Sequence, residues 1–132
     1  HAAILTTRLG WFDLFTDRRK KIAKTYFDSI KNPLVQLLAK PINSDNHTYH
    51  LFVILCKVRD RLSDYLKEHG IDNLVHYPIP IHHQPPCRSI RRDPKGLANA
   101  ESHAVQCLSI PCHPQMKDED VNKVIEVINA FK

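Results

Sequence analysis

The residues best suited to chemistry lie in one stretch, Val75-His76-Tyr77-Pro78-Ile79-Pro80-Ile81-His82-His83-Gln84-Pro85-Pro86. Three histidines, one tyrosine and four prolines share these twelve residues. Proline fixes φ and removes a backbone donor, so the run cannot continue a helix or fill a central strand. The sequence therefore predicts an extended, stiff loop that presents imidazole and phenol groups in a set order. Such groups suit recognition of a polar, anionic ligand. A proline-rich connector whose histidines face water is the plainer alternative.

Other polar clusters carry weaker signals. The formal net charge is +5, which raises the question of a polyanion partner. The basic residues fall in Arg18-Arg19-Lys20-Lys21 and in Arg88, Arg91, Arg92 and Lys95, without interleaved aromatics. The first cluster reads as a solvated helix face. The second follows the histidine loop and reads as an anion-attracting rim. Neither makes a case for nucleic acid. Cys56, Cys87, Cys107 and Cys112 contain no CxxC pair, and Cys107, Cys112 and His113 fit structural zinc spacing poorly. Reduced thiols acting as small apolar side chains, with no metal site, are the expectation.

The elements that must position the loop follow from periodicity. Leu5, Leu9, Phe12, Phe15, Ile22, Tyr26 and Ile30 recur at helical spacing, which predicts one long helix from Ala2 to Ile30. Gly10 is tolerated within it, and Asn32-Pro33 closes it. Trp11 and Phe12 form a second apolar patch on this helix. The uncapped start at His1 reads as the middle of a longer chain. Leu34 to Ile42 is a strand or loop, and Tyr49 to Leu55 is the clearest strand. Asp60 is placed as the N-cap of a helix to His69, with Gly70 just after its end. Ile71 to Tyr77 reads as a second strand that delivers the loop. Leu97 to Cys107 is a helix, Cys107 to Ile110 a short strand, and Asp118-Glu119-Asp120 opens a final helix. At 132 residues the chain has the length of one domain, a two-layer α+β fold. No apolar run approaches the ~18 residues of a membrane helix.

The order of these segments resembles the C-terminal small domain of the DegT/DnrJ/EryC1/StrS family of pyridoxal phosphate (PLP) dependent sugar aminotransferases. His1-Ala2-Ala3-Ile4-Leu5, continued by Arg18-Arg19-Lys20-Lys21-Ile22-Ala23 and Tyr26, is similar to the family's QAAIL and RRxxIAxxY helix. Tyr49-His50-Leu51-Phe52-Val53-Ile54 is similar to its YHLFVI strand. Arg59-Asp60-Arg61-Leu62, with Tyr65 to Ile71, resembles its RDxLxxYLxxxGI helix. His76-Tyr77-Pro78-Ile79-Pro80-Ile81-His82 matches its HYPxPxH loop. Leu108-Ser109-Ile110-Pro111 with His113-Pro114 completes the pattern. His1 replaces the usual Gln, and Ser89 to Asp93 is a basic insert.

The resemblance implies the small domain of a fold-type I PLP-dependent transferase, a long connecting helix (residues 1–31) joined to an α+β subdomain (32–132) with a mainly antiparallel sheet. It implies a parent enzyme that moves an amino group, usually from glutamate, to a keto group on a nucleotide-linked sugar. The Schiff-base lysine and PLP pocket would belong to an upstream large domain, so the chain by itself would be inactive, with no catalytic residue and no cofactor of its own. His76, Tyr77 and His82 are the implied substrate contacts, with His83 left facing solvent. The implied setting is a cytoplasmic homodimer whose partners are a nucleotide sugar and the large domain, with neither nucleic acid nor membrane. A PLP-dependent sugar dehydratase of the same family, and a free-standing basic polyanion-binding module, are the alternatives.

Overall fold

The structure is a computed structural model that describes residues 1–87, 89–90 and 93–132, with the backbone alone for Ser44. Arg88, Arg91 and Arg92, the core of the expected basic rim, lie outside the described residues. The chain forms two compact units. One comprises His1–Asn32, Ala39–Phe52 and Pro111–Phe131; the other comprises Pro33–Leu38, Val53–Ile110 and Lys132.

In the first unit the expected single helix is two, α1 (Ala2–Leu9) and α2 (Phe12–Ser29). The break has a local cause. Trp11 takes φ −104° and ψ 0°, outside the helical well, and its N–H bonds Arg8 O three residues back. Gly10 itself keeps helical angles (φ −61°, ψ −19°), so the step is made at Trp11. None of the α1 residues is buried. Lower down, α2 buries Ile22, Ala23 and Tyr26 and packs on α5 (Asp118–Ala130). Helix α5 buries Val121, Val124, Ile125 and Ile128, as its spacing predicts. The buried Tyr26 hydroxyl donates to Pro111 O at 2.7 Å, and its ring meets Phe52 edge-on at 5.0 Å.

The helix ends in this unit are closed by asparagines. The buried Asn32 amide donates to Ile128 O (2.7 Å) and Phe131 O (2.8 Å). Asn129 accepts from Lys31 N–H at 2.8 Å and donates to Ser29 O at 2.9 Å. These bonds satisfy carbonyls that a helix terminus leaves unpaired.

The Arg18–Lys21 cluster is not the solvated face read from its charge. Arg18 donates to Met116 O at 2.5 Å and pairs with Asp118 at 2.7 Å. Arg19 reaches the carbonyls of Tyr49 (3.1 Å), His50 (3.0 Å) and Cys112 (2.6 Å). Lys20 pairs with Asp45 at 2.7 Å.

The second unit is built on a three-stranded sheet, ordered β1 (Val35–Leu37), β2 (Phe52–Cys56), β3 (Cys107–Ile110). β1 and β2 run antiparallel with Val35 opposite Cys56 and Leu37 opposite Ile54. β2 alternates, burying Phe52, Ile54 and Cys56, while all four β3 residues are buried. Helix α3 (Arg59–Glu68) lays Leu62 and Leu66 inward and packs on β3. Its N-cap is Val58, two positions before the expected Asp60, which sits instead in the first turn, where the helix dipole favours it. Gly70 takes φ +72° just past the helix end, the left-handed position that glycine fills without strain.

The expected strand from Ile71 to Tyr77 shrinks to a single bridge, Leu74 to Ser109. Asn73 explains the loss. Its amide donates to Ser63 O and Ile71 O, and its carbonyl accepts from Ser63 Oγ at 2.7 Å. Side-chain bonds to nearby backbone compete with a strand ladder, and Pro78 and Pro80 prevent it from resuming.

Candidate functional site: the histidine loop and its cleft

The bridge at Leu74 fixes the loop's point of departure, and α4 (Ala98–Gln106) stands opposite its tip. The loop is not uniformly extended. Residues 81–83 and 85–87 each form one turn of 3-10 helix, closed by His83 N–H to Pro80 O (2.9 Å) and Cys87 N–H to Gln84 O (2.9 Å).

The three expected contact residues have different surroundings. His76 is half-buried, with ring Nδ1 2.9 Å from Ser109 Oγ on β3. Tyr77 stands 73% exposed, its ring perpendicular to that of His76 at 5.4 Å. The His82 side chain is only 14% exposed, and its Nε2 lies 3.1 Å from Glu101 Oε1 on α4. His83 is exposed, as its place in the sequence suggests, but its Nε2 also lies 3.5 Å from the same carboxylate. Glu101 carried no signal in the sequence, because 19 residues separate it from His82.

A cleft of about 850 Å³ opens between the loop and α4, lined by Tyr77, Ile79, His82, Cys87, Leu97 and His103 among others. It brings Tyr77 and His82 together; His76, turned to Ser109, is not among its lining residues. Apolar walls with a few convergent polar groups are the usual form of a small-molecule site. Here the polar lining residues include His82, His103, Tyr77, Gln84 and Asp93. Lys95, the described member of the expected basic rim, is exposed.

The cysteines are all free thiols. Burial pushes the Cys112 thiol up to about 11, opposed by the Arg19 charge. Burial also raises Cys107. Both are poor nucleophiles in the folded chain.

The matched sequence decides the family. The model of the DegT/DnrJ/EryC1/StrS aminotransferase family matches residues 1–129. The chain belongs to that family. Among its members, a dTDP-3-amino-3,6-dideoxy-alpha-D-galactopyranose transaminase from Aneurinibacillus thermoaerophilus is 36% identical over 132 residues, covering 98% of this chain and 35% of its own length. A dTDP-3-amino-3,4,6-trideoxy-alpha-D-glucose transaminase from Streptomyces venezuelae is 33% identical over 131 residues, covering 98% of this chain and 34% of its own. Among solved structures, DesV of S. venezuelae in complex with a ketimine intermediate superposes with a TM-score of 0.87 at 32% identity, over 97% of this chain and 34% of that one. A DegT/DnrJ/EryC1/StrS aminotransferase from Brucella abortus gives 0.88 at 30% identity, over 96% and 34%. The chain thus spans about a third of the length of its relatives.

The family's cofactor, PLP, requires a lysine amine that can lose its proton inside a sheltered pocket. The lysines described here do not fit that need. All are exposed except Lys20, and the hydrogen bond it donates to Asp45 raises Lys20, which keeps it an ammonium.

Proposed function

We propose that this chain is the C-terminal small domain of a PLP-dependent aminotransferase that moves an amino group from glutamate to a keto group on a nucleotide-linked sugar. The observation that carries the reading is the match, over 98% of the chain at 36% identity, to a relative named as a nucleotide-sugar transaminase. The fold is that of the small domain of a fold-type I transferase, with residues 1–31 as connecting helices and 32–132 as the α+β subdomain. PLP and its Schiff-base lysine belong to the large domain of a homodimeric, cytoplasmic parent, and the 132-residue chain alone does not turn over substrate.

Within that reading the loop's residues divide the labour. Tyr77 and His82 face the cleft and contact the sugar nucleotide, the phenol and imidazole donating to hydroxyl or diphosphate oxygens. His76, bonded to Ser109, braces the point where the loop leaves the sheet and holds Tyr77 edge-on. The apolar lining from Ile79 and Leu97 excludes water around those polar contacts.

The test is His82→Ala in the full-length enzyme, with KM for the nucleotide sugar and kcat measured separately. A raised KM supports the assignment, and unchanged constants remove His82 from the site. The 132-residue chain, given PLP, glutamate and the keto-sugar, is expected to show no turnover. Turnover by that chain would overturn the division of labour between the domains.

A further inference from the structure

We propose that His82, His83 and Glu101 form a binding site for a divalent transition-metal ion of the zinc class. This site shares His82 with the proposed sugar-nucleotide contacts, but its geometry rests only on side chains of the second unit.

The geometry carries the argument. One potential ligand atom from each residue falls in a single group whose members all lie within 4.8 Å of one another. His82 Nε2 and His83 Nε2 stand 3.1 and 3.5 Å from Glu101 Oε1. Bonds of about 2.0–2.1 Å around a tetrahedral zinc place neighbouring ligand atoms about 3.4 Å apart. The two imidazole–carboxylate spacings bracket that edge and the whole group stays within 4.8 Å, so an ion can be taken up with side-chain adjustment alone. Neighbouring residues do not ordinarily point the same way. Here the 3-10 turn at residues 81–83 brings the two rings to 4.2 Å between centroids, and both meet a carboxylate 19 residues away from His82.

The donor set selects the ion. Two imidazoles with one carboxylate suit zinc and its first-row neighbours, whereas magnesium and calcium prefer shells of oxygen. Three protein ligands leave a fourth position free, the arrangement of sites that exchange water for a substrate atom. His82 also lines the cleft, so that position is reached from the same space as Tyr77 and His103. Spacing alone gives no such signature, because the carboxylate comes from a different element.

The experiment uses full-length protein stripped with EDTA and titrated with Zn²⁺ alone by calorimetry, as wild type and as His83→Ala and Glu101→Gln. Both variants alter partly exposed side chains, 47% accessible in each case, and melting curves of the metal-free forms check that they fold. The wild type is expected to take up one Zn²⁺ per chain through this site. Each variant should raise that Kd by at least about tenfold. A Co²⁺ titration should give a visible ligand-field band that Glu101→Gln loses. Absence of saturable binding in the wild type overturns the site. So does binding of equal affinity in both folded variants, which would place the ion on other residues, such as the cysteines. Loss of aminotransferase activity plays no part in the readout, so failure of this site and failure of the proposed function are separable.

Discussion

Arg19 and Cys112 touch each other twice, through opposite groups. The Arg19 guanidinium donates to Cys112 O at 2.6 Å, and the Cys112 thiol lies 3.9 Å from Arg19 O. The same guanidinium holds the carbonyls of Tyr49 and His50, so one side chain ties α2 to two separate loops. Replacing it with lysine keeps the charge but loses the planar fork. Arg19→Lys is expected to cost about 1.5–3 kcal/mol, the range for hydrogen bonds to charged groups. Urea denaturation would read this as a lower midpoint with unchanged slope, and a midpoint equal to wild type would contradict it.

Asn32 gives a second, sharper test. Its amide serves two carbonyls at the end of α5 while itself buried. Asn32→Ala removes both of these bonds, at about 0.5–1.5 kcal/mol each. Asn32→Asp should be worse, because a carboxylate then faces carbonyl oxygens. If the two variants melt together with wild type, the closure of α5 does not depend on this residue.

Acid stability should depend on Asp118. Its hydrogen bond from Arg18, with the charges of Arg18 and Lys21, holds the carboxyl below the usual carboxylate range. A group depressed in the folded state binds fewer protons there than in the unfolded chain. Its contribution is therefore present above the unfolded value, near 4, and is lost as pH falls through the folded one. Asp28 and Asp45 are lowered in the same way, each first by a lysine hydrogen bond. Asp118→Asn should lower the neutral urea midpoint slightly and flatten the fall below about pH 4 by the same amount, both effects small because the carboxylate is exposed. An acid limb as steep as wild type would argue against the pairing.

Thiol labelling should separate the cysteines by access. Cys87 lines the cleft and is partly exposed, whereas Cys56, Cys107 and Cys112 are buried. A thiol reagent under native conditions is expected to modify Cys87 first and the other three only after denaturant is added. Four equivalents reacting together in native buffer would contradict the packing.

How much of this was legible in the sequence depended on the range of the forces involved. The buried stripe of α5, the alternation of β2 and the glycine after α3 follow from neighbours along the chain, and periodicity or turn chemistry finds them. The break at Trp11, the Arg19 clamp and the shortening of the strand at Asn73 each depend on where a side chain meets backbone. Arg19 and Cys112 are 93 residues apart, and no local pattern encodes such a pairing. The loop itself was visible because prolines and histidines are conspicuous. Glu101 was not, since one carboxylate in a helical first turn looks like any other.

The asparagine closure of α5 has a bearing on the order of synthesis. The bonds from the Asn32 amide to Ile128 and Phe131 must wait for residues 96 and 99 positions downstream. The second unit, apart from Lys132, ends at Ile110, so its sheet and cleft have all their residues while α5 is still being translated. Contacts of such long separation are slow to close, and domains emerging from the ribosome fold as their segments become available. Helix α2 therefore spends part of its time on the ribosome without α5 against it, a window in which chaperone capture competes with maturation.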